Sequence, residues 1–421
     1  MLPVDFLFTG RPCRRETIGS HGRPTFMILK TFQLRLYPNR RQTRLLSKHF
    51  GCARFVYNWG LAKKRDEYEK TGKSSTWVAL CKELTILKQG TYWLCEVATA
   101  PLQSSIRHLD AAYQKFFKEK KGYPAFKRKH GRQAFQYPEN VKVNAEKRQL
   151  YFPCIGWVRY LDGRSMDGQI KTVTVVRSAT GKHYAQVLVL LPDNIPEKKP
   201  LDKSRAVGID VGLTTFATFS DGRKVANPRF LKWSLKKLAT ANRHLSRTRK
   251  GSENRGKARL HLALAHEKVA NRRKDFLHKL TTQMVNENQV DTWVIETLNV
   301  AGMVKLRSLS RSIHDASWSE FVRQLVYKCD WRGKNLIKIG RFMPSSKMCS
   351  CGAVNDDLRL ADRTWTCRMC GVTHDRDILA AQNILKFANL NTEGNPGINA
   401  SGEEGRKLPR GKRKSIRVRK G

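Results

Sequence analysis

The sequence predicts an α+β protein of several domains: a β-barrel domain with an inserted helical lobe, then an α/β domain that contains a cysteine-rich ribbon. Three observations lead to this prediction. Short alternating apolar runs flank a stretch of helical period, apolar strands in the second half each contain an acidic residue, and two close cysteine pairs stand near the end. A chain of 421 residues is long enough for two to four domains.

Alternating apolar residues mark the strands of the predicted barrel. The first strand is Met27–Pro38, and the last two form a hairpin around the turn Ala179–Lys182. The shorter runs between them are Val141–Val143, Leu150–Phe152 and Trp157–Tyr160. These runs predict a barrel built from residues 27–38 and 122–192.

Residues 39–121 change to a helical period and predict a lobe inserted into that barrel. One helix follows Asn39, a second covers Ser75–Gln89, and a third covers Pro101–Lys120 with its proline in the first turn. The apolar stripes predict a small core. The many Lys and Arg residues on the other faces suit a nucleic-acid backbone.

The second half combines buried strands with long basic helices. A strand containing Asp210 opens it, and a second strand, Trp293–Ile295, ends at Glu296. Between them Ser234–Leu280 predicts a helical pair with fourteen Lys and Arg residues against three acids. Another amphipathic helix with apolar members at Trp318, Phe321, Leu325 and Tyr327 precedes the cysteines.

Two cysteine pairs predict a structural zinc site. Cys349 and Cys351 are spaced C-x-C, and Cys367 and Cys370 are spaced C-x-x-C. Four thiolates complete a tetrahedral Zn²⁺ shell and leave no open position for chemistry. The alternative is four reduced cysteines on a turn-rich loop, against which their clustering argues. The other six cysteines are widely spaced, as expected of a cytoplasmic chain.

The net charge predicts a polyanionic partner. Lys and Arg outnumber Asp and Glu by 81 to 35, which gives +46. Such a charge repels itself in a compact fold unless a polyanion neutralises it, so nucleic acid is favoured over a merely soluble basic surface. The apolar patch Val4–Phe8 is too short for a signal peptide or a membrane span, and no membrane partner is expected.

Three carboxylates stand out by their context. Asp210 interrupts an apolar strand, Glu296 ends another, and Asp377 lies in the first turn of a helix. A buried acid is costly unless it is paired or bound to metal. Acids from two strands and a helix start can converge on two Mg²⁺ ions, which predicts phosphodiester hydrolysis of the RNase H type. Taken singly, each acid also fits a turn or a helix cap.

Several segments closely resemble the TnpB (OrfB) family of transposon-encoded proteins, which are relatives of type V CRISPR effectors. They are GIDVGLTTFATFSDG, VIETLNVAGM, SIHDASWSEFVRQLVYK, FMPSSKMCS and the cysteine ribbon with HDRDILAAQNIL. The likeness extends from Met27 to about Ala388 and includes FQLRLYPN, RFVYNWGLA, GYPAFK and IGWVRY. It implies an RNA-guided DNA nuclease with a RuvC domain.

The resemblance also implies residue roles. Asp210, Glu296 and Asp377 would be the catalytic acids that hold two Mg²⁺ ions, with Asp377 as the aspartate of the family's R-D-x-N-A-A motif. Asp375 would cap or support the helix. Cys349, Cys351, Cys367 and Cys370 would hold one zinc ion.

The resemblance extends to partners. The helical lobe would be the recognition lobe and the barrel the wedge domain, which together grip a guide RNA made from the transposon end and read a short motif beside the target. Base pairing would read the rest of the double-stranded DNA, and the basic helices would line the heteroduplex channel. A monomeric ribonucleoprotein in the cytoplasm, associated with the prokaryotic nucleoid, is expected.

The predicted domain bounds combine the residue patterns with the family resemblance. They are 1–26, an unstructured extension that makes Met27 a candidate natural start; 27–38 and 122–192, the wedge barrel; 39–121, the recognition lobe; 193–204, a linker; 205–344, the first part of the RuvC domain with basic helices 234–280; 345–372, the zinc ribbon; 373–388, the last RuvC helix; and 389–421, a disordered basic tail.

Two departures from the family pattern bear on catalysis. Leu379 stands where the family usually has Asn in R-D-x-N-A-A, and Cys349-Ser350-Cys351 replaces a C-x-x-C pair. Neither removes an acid. A guided DNA-binding repressor with little cleavage is the first alternative, and retention of all three acids argues against it. The second is an accessory transposase that acts on the element's ends, for which the sequence lacks a tyrosine motif with paired histidines.

Overall fold

A computed structural model describes residues 16–18, 24–26, 28–164, 166–191, 196–341, 343–359 and 361–388. The predicted basic tail and most of the predicted N-terminal extension lie outside the described residues. Inside that extension, the short strands Glu16–Ile18 and Pro24–Phe26 pair antiparallel.

The contacts divide the chain into a first unit, Met1–Lys198, Pro228–Glu287 and Leu306–Gly333, and a second unit, Lys199–Asn227, Asn288–Lys305 and Lys334–Gly421.

The helices and strands are numbered in chain order. They are β1 (Glu16–Ile18), β2 (Pro24–Phe26), β3 (Ile28–Tyr37), α1 (Arg40–Thr71), α2 (Trp77–Gly90), α3 (Thr99–Glu119), β4 (Gln133–Tyr137), β5 (Lys142–Asn144), β6 (Gln149–Phe152), β7 (Gly156–Leu161), β8 (Gln169–Arg177), β9 (His183–Leu191), β10 (Ala206–Val211), β11 (Thr215–Phe219), β12 (Lys224–Ala226), α4 (Phe230–Arg247), α5 (Glu253–Asn286), β13 (Thr292–Glu296), α6 (Val300–Met303), α7 (Arg307–Ala316), α8 (Trp318–Trp331), β14 (Asn335–Ile339), β15 (Thr364–Thr366), β16 (Thr373–Asp375) and α9 (Arg376–Phe387).

A seven-stranded antiparallel sheet forms the base of the first unit, in the order β4-β8-β9-β3-β7-β6-β5. Its alternating residues build one core face, and α1 adds Leu46, Phe50 and Ala53 to that core. Because a helix covers the core face, the described strands need not close on themselves, and β4 and β5 remain edges. The predicted barrel is therefore a half-barrel.

Local sequence explains where the inserted helices begin and end. Asn39 caps α1 through a reciprocal pair of hydrogen bonds with Gln42, and Gly72 ends the helix with a φ of 65°. Thr76 caps α2 by accepting from the N–H of Ala79. These three helices match the predicted insertion within a few residues at each end.

Four further helices of the first unit pack on one another. Buried Leu238 of α4 contacts Ala265 and Val269 of α5. Asp315 of α7 accepts from the backbone N–H of Leu231 and pairs with Arg273 at 3.0 Å, so it ties α4 and α5 together.

Among the described residues, none of the helices has both the length and the apolar character required to cross a bilayer.

The second unit contains a five-stranded sheet in the order β12-β11-β10-β13-β14. β10, β13 and β14 run parallel, whereas β11 and β12 are antiparallel additions. Buried Trp293, Val294 and Ile295 make β13 the apolar centre of this sheet. Parallel strands with continuous apolar runs require cover on both faces, and α9 supplies cover on one of them.

Helix α9 approaches β10 closely at Gly208. A side-chain carbon at Gly208 would lie 2.1 Å from the carbonyl oxygen of Ala381 and 3.0 Å from the amide nitrogen of Leu385. Ile384 of α9 packs against Val294 on the same face of the sheet. A glycine at this point of β10 is thus required by the backbone of the helix that crosses it.

Most predicted elements are present, and several short ones were missed. The hairpin around Gly181, the strands bearing Asp210 and Glu296, and the long basic helical pair are confirmed. β4, β12, β14, α6 and α7 were not predicted, and the strands and α6 have only three to five residues each. Leu309, Ile313 and Ala316 of α7 follow a helical spacing, a signal that the sequence analysis did not use. The predicted domain bounds place α4 and α5 with the second sheet, and those bounds remain predictions.

We expect Gly208→Ala to lower the free energy of unfolding of the second unit by about 1–3 kcal/mol, because the methyl group forces α9 away from β10. Gly340→Ala is the matched control, since no atom lies within 4 Å of the added carbon there. Urea denaturation followed by circular dichroism measures both variants. Equal stability of the two variants would contradict the proposed contact.

Candidate active site and metal centre

Two of the three predicted acids lie side by side at the carboxyl ends of β10 and β13, which are neighbouring strands of the second unit's sheet. Ile209 of β10 pairs with Ile295 of β13 in parallel register, so Asp210 and Glu296 follow at the same level. Residues two apart in a strand share a face, and Asp210 therefore lies on the face where Gly208 contacts α9. Asp377, one turn before Ala381, brings the third carboxylate to this edge.

The negative charges of Asp377 and Glu296 both act on Asp210. Burial and the negative charges of Asp377 and Glu296 raise the pKa of Asp210 from 3.8 to about 7, while the charge of Arg376 partly offsets this effect. Burial also raises the pKa of Glu296. Clustered carboxylates of this kind favour binding of either protons or cations.

The start of α9 is held by basic side chains and by its own cap. Asp375 accepts from the backbone N–H groups of Asp377 and Ile378, as predicted, and pairs with Lys224 at 2.7 Å. Burial opposes ionisation of Asp375, but Lys224 and the two N–H groups lower its pKa on balance. Asp377 pairs with Arg363 at 3.4 Å. Asp375 is therefore a helix cap, and Asp377 is the acid beside Asp210.

The four predicted cysteines converge into one cluster. The Sγ atoms of Cys349, Cys351, Cys367 and Cys370 all lie within 4.8 Å of one another, so the cluster could hold a metal ion. Two of the separations are 3.5 Å, between Cys349 and Cys370, and 3.8 Å, between Cys351 and Cys367. The C-x-C spacing of the first pair thus still brings both sulfurs to the cluster.

Two glycines shape the turns that carry the cysteines. Gly352 and Gly371 each follow the second cysteine of a pair, with φ values of 95° and 71°. Few other residues adopt this left-handed conformation without strain. The turns are closed by hydrogen bonds from the N–H of Gly352 to Cys349 and from the N–H of Gly371 to Cys367.

His374 is a functional candidate that the sequence analysis missed. Its Nε2 atom lies 3.0 Å from the Sγ atom of Cys349, and its ring lies 5.2 Å from that of Trp365. Burial opposes ionisation of Cys349, but the backbone at Cys351 and the ring of His374 lower the pKa of the thiol to about 5. The signal in the sequence was a histidine four residues after Cys370.

The same helix that bears Asp377 also supports the cysteine cluster. Leu379 is buried and packs with Cys349, Cys367 and Trp365. Buried Asn383 donates to the carbonyl oxygens of Ser345 at 2.7 Å and Met348 at 2.6 Å. Leu379, which stands where the family usually has Asn, therefore adds an apolar contact to the cysteine cluster. The effect of this residue on catalysis remains a prediction.

Three family profiles match separate parts of the chain. Residues 186–307 match a family described as "Probable transposase" (OrfB_IS605), and residues 318–384 match the "Cas12f1-like, TNB domain". Residues 27–73 match the "Helix-turn-helix domain" of the same OrfB group. Together these matches include β10, β13, most of α9 and the cysteine cluster.

Two relatives match nearly the whole chain. A Streptomyces pristinaespiralis protein named "Putative RNA-guided DNA endonuclease" is 39% identical over 368 residues, which are 85% of this chain and 89% of the relative. The Escherichia coli K12 protein "Putative RNA-guided DNA endonuclease InsQ" is 33% identical over 378 residues, which are 85% of this chain and 92% of the relative.

A solved structure shares the fold. The chain titled "Cryo-EM structure of the Cas12f1-sgRNA-target DNA complex" superposes with a TM-score of 0.51 and 14% sequence identity, over 85% of this chain and 99% of that chain. At this identity the likeness concerns the α+β fold alone: a half-barrel sheet with a helical region.

The raised pKa of Asp210 predicts a stability effect that depends on pH. A carboxyl whose pKa rises from 3.8 to about 7 on folding stabilises the fold below 3.8 and loses that stabilisation as pH rises through 7. Without added Mg²⁺, Asp210→Asn should therefore raise the free energy of unfolding well above pH 7 by up to about 4 kcal/mol, since the pKa rises from 3.8 to about 7 and one pKa unit is about 1.4 kcal/mol.

The difference between Asp210→Asn and the unchanged protein should disappear in acid, where Asp210 is already protonated. Urea denaturation at several pH values measures it. A variant that is less stable than the unchanged protein above pH 7, or a difference independent of pH, would contradict the crowding of these acids.

Proposed function

This chain belongs to the TnpB (OrfB) family, and from that we propose that it is an RNA-guided endonuclease of double-stranded DNA encoded by a transposon. It hydrolyses phosphodiester bonds at an RNase H-like (RuvC) site. A non-coding RNA from the transposon end guides it, and a short motif must lie beside the target. The observation that carries the proposal is the meeting of Asp210, Glu296 and Asp377 at one sheet edge of a chain with a net charge of +46.

The acid site has the donors that Mg²⁺ prefers. Hard carboxylate oxygens from two strands and a helix start fit a pair of such ions, and the raised pKa of Asp210 records negative charge that cations would neutralise. Two bound Mg²⁺ ions would supply an activated water and stabilisation of the leaving oxygen. Asp210 and Glu296 hold this site from the rigid sheet, and Asp377 completes it from α9.

Neighbouring residues keep these acids in position. Asp375 fixes the first turn of α9 through its cap, and Lys224 holds Asp375. Arg363 contacts Asp377 and Thr214, so it also restrains the loop after β10. Its guanidinium lies where it can neutralise a phosphate that approaches the acids.

The rest of the chain binds nucleic acid in this proposal. The inserted helices α1–α3 serve as the recognition lobe, and the half-barrel serves as the wedge domain. The basic pair α4 and α5 contacts the backbone of the guide–target heteroduplex, whose sequence is read by base pairing. Retention of all three acids favours cleavage over a guided repressor without cleavage.

The cysteine cluster fits one structural zinc ion. A tetrahedral site with Zn–S bonds of about 2.3 Å places sulfurs about 3.8 Å apart, and the observed separations of 3.5 and 3.8 Å agree with this geometry. Zinc would supply no chemistry there, since four sulfurs fill its shell. The cluster instead supports α9 through Leu379 and Asn383.

Asp210→Ala should lower guided DNA cleavage by about a thousandfold or more, because the loss of a metal-binding carboxylate removes several kcal/mol of transition-state stabilisation. Binding of guide and target should be unchanged. Sequencing the RNA that copurifies from the native locus identifies the guide for this assay.

Asp221→Ala is the matched control for Asp210→Ala. This exposed acid of the same unit pairs with Arg223 and lies outside the acid site, so cleavage should persist. Cleavage by Asp210→Ala would contradict the proposed catalytic role of Asp210. Loss of target binding by the folded variant would also contradict it.

His374 donates its ring N–H to the Cys349 thiolate in this arrangement, and a hydrogen bond of this kind strengthens a metal site. His374→Ala should weaken zinc binding by about 10–100-fold, whereas His374→Gln, which keeps an N–H donor, should weaken it less. Competition with a chromophoric chelator measures the affinity. The Co²⁺ complex should keep the spectrum of a four-sulfur site in every variant.

Zinc binding that is equal in His374→Ala and the unchanged protein would exclude the hydrogen bond. A Co²⁺ spectrum that changes from a mixed nitrogen–sulfur site to a four-sulfur site in the alanine variant would instead make His374 a ligand.

A further inference from the structure

The end of α3 bears aromatic side chains beyond its buried residues: Tyr113 packs against the small core of Tyr57, Leu61 and Leu109, whereas Phe117 is exposed. The buried residues of α3 end at Leu109, yet Tyr113, Phe116 and Phe117 continue its apolar stripe for two more turns. Phe117 is 72% exposed and Tyr123, just beyond the helix, is 50% exposed. Exposure of this much aromatic surface in one place marks a binding surface.

The four rings form one connected cluster, which we call the aromatic platform: Tyr113, Phe116, Phe117 and Tyr123. Ring centroids are separated by 5.1 Å for Phe116 and Phe117, 5.4 Å for Phe116 and Tyr123, and 5.6 Å for Tyr113 and Tyr123. The hydroxyl groups of Tyr113 and Tyr123 are 2.9 Å apart. Contacts of this kind hold the rings in place before any ligand arrives.

Two features anchor the platform to the helices below it. Lys64 is buried, pairs with Asp110 at 3.7 Å, and places its ammonium 5.2 Å from the ring centre of Tyr113. Asn58 of α1 exchanges two hydrogen bonds with the backbone of Lys127, at 3.0 and 2.8 Å. The segment that leads away from Tyr123 is therefore held along α1.

The charge around the platform is strongly positive. Residues 115–132 contain eight Lys and Arg residues and one acid, Glu119. Lys121 neutralises that acid at 2.6 Å. The ammonium of Lys127 lies 3.7 Å from the ring centre of Tyr57. Exposed Lys118 and Lys120 follow Phe117 directly along the chain and supply positive charge beside the platform.

We propose that the aromatic platform binds unpaired nucleotides, with bases stacked on Phe117 and Tyr123 and phosphates on the adjacent lysines and arginines. Exposed rings beside a basic track are the pattern by which proteins hold single strands, because every base has an aromatic face. In a duplex those faces are covered by neighbouring bases, so paired DNA offers the rings nothing. This inference deepens the proposed function and rests on it, since it names where a single-stranded part of the guide or of the opened target is held.

The test measures binding by the full chain after bound nucleic acid has been removed in high salt. Fluorescence anisotropy is recorded with oligo(U), oligo(dT) and a DNA duplex of equal length. Phe117→Ala should weaken binding of the single strands by about tenfold, since stacking contributes about 1–3 kcal/mol per base. Duplex binding and the slope of affinity against salt should stay unchanged, because every basic residue remains.

Three further variants sharpen the result. Phe117→Trp should restore binding, and Tyr123→Ala should repeat the loss. Tyr92→Ala is the matched control, because Tyr92 is 80% exposed in the connection between α2 and α3 of the same insertion but lies outside the platform. Phe117 is mostly outside any core, so its replacement should leave the circular dichroism spectrum unchanged.

Each outcome decides the proposal. Selective loss of single-strand binding supports it, and the oligo(U) and oligo(dT) arms show whether RNA or DNA is preferred. No loss, an equal loss with the duplex, or the same loss in Tyr92→Ala overturns it. Guided cleavage by Asp210→Ala tests the proposed function separately: cleavage by that variant overturns the nuclease site and leaves the binding result intact.

Discussion

The contact between α9 and β10 determines most of what surrounds it in the second unit. Gly208 removes the side chain that would otherwise separate the two backbones. The helix can then place Asp377 on the same face as Asp210 and Glu296, while its other residues, Leu379 and Asn383, hold the cysteine cluster. One helix thus positions the three carboxylates and a cysteine cluster that could hold a metal ion, and a change in its tilt alters both.

The acid site conflicts with stability in a way that binding sites often do. Three carboxylates near one another repel, and burial adds to the cost, which the raised pKa of Asp210 expresses. The chain keeps them together with a rigid sheet, a helix cap at Asp375 and the cation of Arg363. In the proposed function this repulsion is relieved when cations bind, so stability is lost to make a binding site.

Sequence reasoning was most successful where periodicity was long. The apolar stripes of α2 and α3 and the hairpin around Gly181 predicted these elements to within a few residues, and the stripe of α1 predicted the start of that helix. It failed for β4 and β14, which are five residues each and owe their strand conformation to neighbouring strands. It also predicted a barrel, because no local pattern shows that α1 will cover the core face of the sheet.

The chain by itself determined the types of donor in the site: acids inside apolar strands, a capped helix start, and two pairs of cysteines. Those features depend on a few neighbouring residues, so they can be seen without a structure. Only the tertiary structure decided that His374 contacts Cys349, that Leu379 faces the cysteine cluster, and that four rings meet at the end of α3. Such contacts depend on how strands and helices cross, and a linear pattern of residues does not record crossings.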